Sequence, residues 1–307
     1  MYWVYGSVFL STALGGAGFA FMKNGLQVFS TSWFVFLRFF ISFLLLVPFL
    51  WKRTSGSPRH TLKDGLLIGG LFFAATQIQI QGIAGTDAGR SAFINSASVV
   101  LVPIFEAFLA RRRPSLKILA GCFLCFAGVG LLALPKMAGH SSGGTAELLV
   151  FLGTFIFACQ TIVFKRAVHR SSANVLSFVQ FGTIALLALP FALMSPFPAF
   201  DGFKGWDGVL YAAVAMNLAM LMISNNALRF ISPTAFAVIG SMQSVYGALF
   251  GNLMLGEKIT LQLVVSGSMI LSGIVIVILA SSRPAGSAPV SAKSGRGRCD
   301  PEKRGSF

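Results

Sequence analysis

Charge is what this sequence has least of. Lys, Arg, Asp and Glu make up 11% of its 307 residues, and only nine of them are acidic. A soluble domain carries about 25%. With 55% hydrophobic residues and a mean hydropathy of +0.78, the chain must present apolar surface to lipid rather than to water. Histidine is nearly missing: His60, His140 and His169 all fall in or near loops, which argues against a metal centre. Of four cysteines, Cys122 and Cys125 form a C-x-x-C inside an apolar run, with no second pair and no neighbouring histidine, so they read as packing. Cys159 is embedded in another apolar run and Cys299 lies in the tail, so no disulfide framework is implied. No basic leader precedes the first apolar segment, so the first helix is expected to be retained. There is no H-E-x-x-H and no P-loop. Gly139-His140-Ser141-Ser142-Gly143 spells G-x-S-x-G, but it sits in a short loop without the strand that a nucleophile elbow needs. Neither an enzyme nor a cofactor is expected.

What the sequence has is apolar length. About 20 apolar residues cross about 30 Å of hydrocarbon. Ten such segments are present, at 4–22, 31–51, 62–82, 87–110, 115–135, 146–165, 173–194, 206–228, 232–254 and 259–281. The joins between them are too short to hold a soluble domain. The expected fold is an all-α membrane protein of ten transmembrane helices, with 283–307 as a disordered basic cytoplasmic tail.

The net charge of +15 does not point to nucleic acid, because the basic residues cluster between the apolar runs: Lys52, Arg53, Arg59 and Lys63, then Arg111, Arg112, Arg113 and Lys117, then Lys165, Arg166 and Arg170, then the tail. With a cytoplasmic N-terminus, the cytoplasmic side holds about 18 Lys/Arg and the other side about five (Lys23, Arg90, Lys136, Lys204, Lys258). Both termini are therefore expected to be cytoplasmic.

The chain resembles itself at a spacing of 142–145 residues. Lys23 falls on Lys165, Phe39 on Phe181 and Pro48 on Pro190; Asp64-Gly65 on Asp207-Gly208 and Ala92-Phe93 on Ala235-Phe236; Gly128 on Gly273. Each unit, 1–136 and 145–282, holds five spans. Five is odd, so the second unit crosses in the opposite sense. The expectation is two inverted five-helix repeats, an architecture suited to alternating access, with a substrate site near the midplane.

Ionisable groups inside a membrane are costly and are functional candidates. Arg38 lies inside the second span and is suited either to bidentate contact with a carboxylate or to snorkelling toward the interface. Glu106, one turn before Arg111, reads either as a local ion pair or as a gating or coupling carboxylate. Acidic residues otherwise fall in loops, helix ends and the tail, which favours transport without tight proton coupling. Uncharged candidates for a substrate path are Gln77 and Gln81 on one face of the third span, Asn95 and Ser98 in the fourth, Gln160 in the sixth, Gln180 in the seventh, Asn217 in the eighth, and Gln243 and Tyr246 in the ninth. Some of these must act as interhelical glue. Pro103 should kink the fourth span and serve as a gating hinge. Gly65-x-x-x-Gly69 and Gly247-x-x-x-Gly251 predict close helix contact, within the bundle or across a homodimer.

Several of these stretches carry a family resemblance over about residues 5–281. They are Lys23 after a Gly-rich first helix, Arg38, Asp87-Ala88-Gly89-Arg90-Ser91-Ala92-Phe93 running to Pro103, Ser232-Pro233-Thr234-Ala235-Phe236, and Leu255-Gly256-Glu257-Lys258-Ile259-Thr260. Together they resemble the drug/metabolite transporter superfamily, in the branch with two EamA domains. The first repeat departs from the pattern: Arg112 stands where a second Glu belongs. The resemblance implies a bacterial inner-membrane permease, most often an exporter of amino acids or related metabolites. A membrane sensor that binds a small ligand without net flux is the alternative.

Overall fold

In a computed structural model, the described residues are 2–55, 59–109, 116–133, 144–196, 203–231, 236, 239–240 and 242–281. Among them there are helices and turns but no strand. The segments are α1 (Tyr2–Gly25), α2 (Thr31–Ser55), α3 (Arg59–Gly85), α4 (Ala88–Ser96), α5 (Ser98–Leu109), α6 (Leu116–Ala133), α7 (Thr145–Val168), α8 (Ala173–Leu193), α9 (Trp206–Tyr211), a π-helical segment (Ala212–Leu221), α10 (Met222–Ala227), α11 (Met242–Leu255) and α12 (Leu261–Ser281). Taking α4–α5 as one rod, and α9 through the π segment to α10 as another, gives ten rods. Six segments are long and apolar enough to cross a membrane: Thr31–Pro48, Arg59–Gly85, Ala88–Glu106, Thr145–Val168, Ala173–Leu193 and Trp206–Ala227. The tail, Arg111 to Arg113 and Ser232 to Ala235 lie outside the described residues.

The fourth and eighth rods are not regular α-helices. Between α4 and α5 the chain tightens at Ala97, which donates to Ile94 O and accepts from Val100 N. The irregularity sits about a turn and a half before Pro103, which lies within α5. Proline removes the amide that would bond four residues back, and the tightening falls just N-terminal to that gap. In the eighth rod the π segment shifts the backbone bonds to i→i+5. Such segments are rare and recur at functional sites.

The core is built of rings and small residues. Phe34, Phe39, Phe164 and Phe181 are fully buried, and Phe39 sits 5.8 Å from both Phe72 and Phe181. α3 packs on α7 and α8, α2 on α8, α1 on α11, α4 on α11, and α6 on α12. Both glycine pairs serve this packing within the chain. A Cβ at Gly65 or Gly69 would meet Val179 or Thr183, and one at Gly247 would come within 2.3 Å of Ala92. The outer faces carry exposed leucine, phenylalanine and valine, as a lipid-facing surface requires: Leu44, Leu66, Phe123, Leu186 and Val264 are examples.

Candidate functional site

A cavity lies in the middle of the bundle. Its walls come from α1, α2, α3, α4, α5, α7, the π segment, α10 and the start of the ninth rod. The space open to the centres of water-sized molecules is about 120 Å³. One water needs roughly 10–15 Å³ on that measure, so a small metabolite fits. The wall is mixed: Phe19, Phe72, Phe157, Met216 and Phe236 supply apolar surface, and Gln79, Asn95, Asn217 and Gln243 supply amides. Along α1 the lining runs from Val8 to Met22 and stops one residue before Lys23.

Arg38 is the one charged residue that lines the cavity among the described residues. It is 6% exposed, so it does not snorkel to an interface. Its Nη2 donates to Asn217 Oδ1 at 2.7 Å, and its Nη1 lies 3.4 Å from Met22 Sδ. Its Nε is buried without a hydrogen-bond partner among the described residues. Asn217 Nδ2 lies 3.0 Å from Ser42 Oγ and 3.3 Å from the Arg38 carbonyl. Ser42 Oγ also reaches the Arg38 carbonyl at 2.6 Å and Ala213 O at 2.9 Å. The π segment thus supplies both a side chain and a backbone carbonyl to the region around the guanidinium.

Asn95, Ser98, Asn217 and Gln243 line the cavity beside Arg38. Gln243 also packs on α1, where a Cβ at Gly15 would stand 2.8 Å from its amide. The other residues singled out from sequence lie outside the lining. Gln77 donates to Ser32 Oγ at 3.2 Å, and Gln81 is exposed. Gln160 and Gln180 are buried in α7 and α8, and the Gln180 amide has no partner among the described residues. Tyr246 is half-buried against Gly16. Pro103 is buried in α5. Glu106 is partly buried and acts electrostatically on Lys165. Asn225 and Asn226, donating to Ser177 Oγ and Asn174 Oδ1, tie α10 to α8.

Gln79 was not singled out from sequence. It lies between Gln77 and Gln81 on the facing side of α3, and its Nε2 donates to Asn95 Oδ1 at 2.9 Å. Gln77 and Gln81 mark one face of the third span, and the cavity takes Gln79 from the opposite face. Thr161, the neighbour of Gln160 and like it a polar residue of the sixth span, lines the cavity; Thr76 and Ser224 line it too, and nothing in their local sequence marks them.

Just past Met22 lies a cluster of charged side chains. The sequence Leu255-Gly256-Glu257 makes a sharp stop: Gly256 takes φ +64, the left-handed conformation that glycine adopts at helix C-termini. The turn carries Glu257 back over α4, where Oε1 accepts from Ala88 N at 2.7 Å and Oε2 from Gly89 N at 3.1 Å. Asp87 holds the N-cap position of α4 without capping it through its side chain; Glu257 does so from 169 residues away. Lys23 Nζ lies 3.6 Å from Glu257 Oε1 and 3.9 Å from Asp87 Oδ1, and donates to Thr86 O at 2.7 Å. Arg90 contacts Glu147 Oε1 at 3.0 Å, Asp87 Oδ2 at 3.8 Å and Gln262 Oε1 at 2.8 Å. Glu147 is 2% exposed and also accepts from Thr86 Oγ1. Standing in the first turn of α7, it reads from sequence as an acid at a helix end; the structure buries it. No cluster of three or more potential metal ligands occurs among the described residues.

The sequence profile described as the EamA-like transporter family matches residues 2–134 and again 144–279. Two proteins of Archaeoglobus fulgidus, both described only as uncharacterized transporters, are similar over most of the chain. One is 26% identical over 88% of this chain and 84% of its own length, the other 25% identical over 86% and 93%. A solved crystal structure superposes with a TM-score of 0.65 at 18% identity, covering 89% of this chain and 96% of that one, and so shares the fold.

Proposed function

Since the chain belongs to the EamA-like transporter family, and is a multi-pass membrane transporter, we propose that it exports amino acids or related amphipathic solutes by alternating access between two inverted five-helix repeats. The observation that carries this reading is the central cavity. It is drawn from both halves of the chain, mixes amides with aromatic walls and holds a buried guanidinium.

The packing supports the repeat. The contact of α3 with α7 has its counterpart in the contact of α1 with the eighth rod, and α1 with α11 in α7 with α4 and α5. The pairs α2–α8, α4–α11 and α6–α12 would be their own counterparts. Single residues follow the same rule. Lys23 donates to Thr86 O, and Lys165 to Leu228 O, both partners being 63 residues on. A Cβ at Gly128 would meet Ser266 and Ile270; one at Gly273 would meet Gly121 and Cys125. Adding 145 to Gly121, Cys125 and Gly128 gives Ser266, Ile270 and Gly273. In this reading the Lys23–Glu257 cluster is a gate at the non-cytoplasmic end, in a bacterial inner membrane with both termini cytoplasmic.

The test is metabolite profiling of the medium around bacteria overproducing the wild-type chain or Arg38→Ala at equal membrane level. Amino-acid-like solutes should accumulate outside with wild type and not with the variant. Matching profiles from wild type, variant and empty cells would remove the export reading.

A further inference from the structure

In the charged cluster, Lys23 and Arg90 each have acids: Lys23 has Asp87 and Glu257, and Arg90 has Glu147 and Asp87. Arg38 has none among the described residues: its partners are an amide oxygen, a thioether and the face of the Phe39 ring 4.8 Å from the guanidinium carbon, all neutral. A buried charge without a counter-charge is strongly unfavourable unless something else compensates it. The acids of the charged cluster are engaged elsewhere: Glu257 by two backbone amides, Glu147 by Arg90 and Thr86, and Asp87 by Lys23 and Arg90.

The cavity that Arg38 lines contains no carboxylate among the described residues, so its formal charge is that of one guanidinium. The rest of the lining is neutral: amides and hydroxyls together with aromatic and methionine side chains. We infer that the solute is a monocarboxylate on an apolar body, paired with Arg38 and steadied by Asn217, and that a free ammonium group on the same body is selected against. A carboxylate fits the donor fork of guanidinium, and the unpartnered Nε is a donor still to be used. An ammonium group would find only neutral acceptors and would stand near a like charge. This rests on the transport reading only for the claim that the cavity is a solute path; within that reading it keeps the related amphipathic solutes and sets aside the zwitterionic amino acids.

The test uses the full chain, purified in detergent, and three probes that share a benzene ring and differ in charge: 3-phenylpropionate, phenylalanine and phenethylamine. Ligand-induced stabilisation against heat gives an apparent affinity for each. The expected order is 3-phenylpropionate at least tenfold better than phenylalanine, with phenethylamine weakest. Arg38→Lys should keep the order with severalfold weaker binding, and Arg38→Gln should level it. Should Arg38→Gln fail to fold, the wild-type series and Arg38→Lys carry the test. The inference is overturned if phenylalanine or phenethylamine binds as well as the carboxylate, if none of the three binds, or if folded Arg38→Gln keeps the tenfold preference. Flux in proteoliposomes separates the two readings. Flux of phenylalanine in preference to the carboxylate leaves transport standing and removes the inference. Carboxylate-selective binding with no flux of any probe does the reverse.

Discussion

Asn217 shows how much one side chain in this structure is asked to do. It accepts from the Arg38 guanidinium and stands within hydrogen-bonding distance of Ser42. Removing it strands a buried cation, and a hydrogen bond to a charged group is worth about 1.5–3 kcal/mol. Asn217→Ala should therefore lower the Tm of the detergent-solubilised protein by several degrees. Asn217→Asp has the same shape and opposite consequences: it provides Arg38 with a counter-charge, so the Tm should hold or rise while carboxylate binding falls at least tenfold. A variant that loses stability and binding together would instead mark Asn217 as a purely structural tie. The sequence offered Arg38 and Asn217 separately, each as a polar residue in an apolar span. That they meet across 179 residues depends on how α2 and the eighth rod pack, and no local pattern encodes it.

Among the elements, α6 offers an internal comparison. Gly128 and Gly130 are two residues apart on one helix, yet a Cβ at Gly128 would come within 2.8 Å of Ile270 on α12 while one at Gly130 would meet nothing within 4 Å. Overpacking costs about 1–3 kcal/mol, whereas replacing an unhindered helical glycine by alanine gains roughly 0.5–1 kcal/mol. Gly128→Ala should lower the Tm and Gly130→Ala should leave it unchanged or raise it. Toward the same end of the bundle, Glu257→Ala removes the cap from α4 and should destabilise by about 0.5–2 kcal/mol, read by the same melting measurement. Elements of this kind were legible as apolar runs, because hydrocarbon thickness sets their length. Their interruptions were not. Ala97 and the stretch Ala212–Leu221 carry no glycine or proline, so the break in the fourth rod and the widened turn in the eighth leave no mark in local propensity. Pro103 gave the right rod and placed the irregularity a turn and a half too late.

For the whole molecule, the cavity and the charged cluster divide the bundle along its long axis. The cavity begins near Val8 and ends at Met22; the ion pairs begin at Lys23. If the halves rock about the cavity, the cluster must open before the cavity communicates with that end. With the four native cysteines replaced by serine, Thr12→Cys should react with a membrane-impermeant thiol reagent mainly from the side where α1 begins. Adding Glu257→Gln should raise its labelling from the opposite side severalfold. Unchanged sidedness would count against a gate at Glu257. The departure noted at Arg112 bears on the same point: the position repeat-equivalent to Glu257 carries a base, so no carboxylate there can cap a backbone as Glu257 does.

The Arg38 guanidinium in the cavity also has a bioenergetic meaning. If a monoanion crosses and Arg38 stays behind, each turnover moves one negative charge across the membrane. An interior-negative potential works on that charge at about 2.3 kcal/mol per 100 mV. At about 1.36 kcal/mol per decade, this sustains roughly a fiftyfold outward concentration ratio for each 100 mV. A cell that maintains its voltage would then expel such a solute without a proton, a sodium ion or a nucleotide spent at the transporter, and the direction of flow would be set by the battery across the membrane rather than by any residue of the chain.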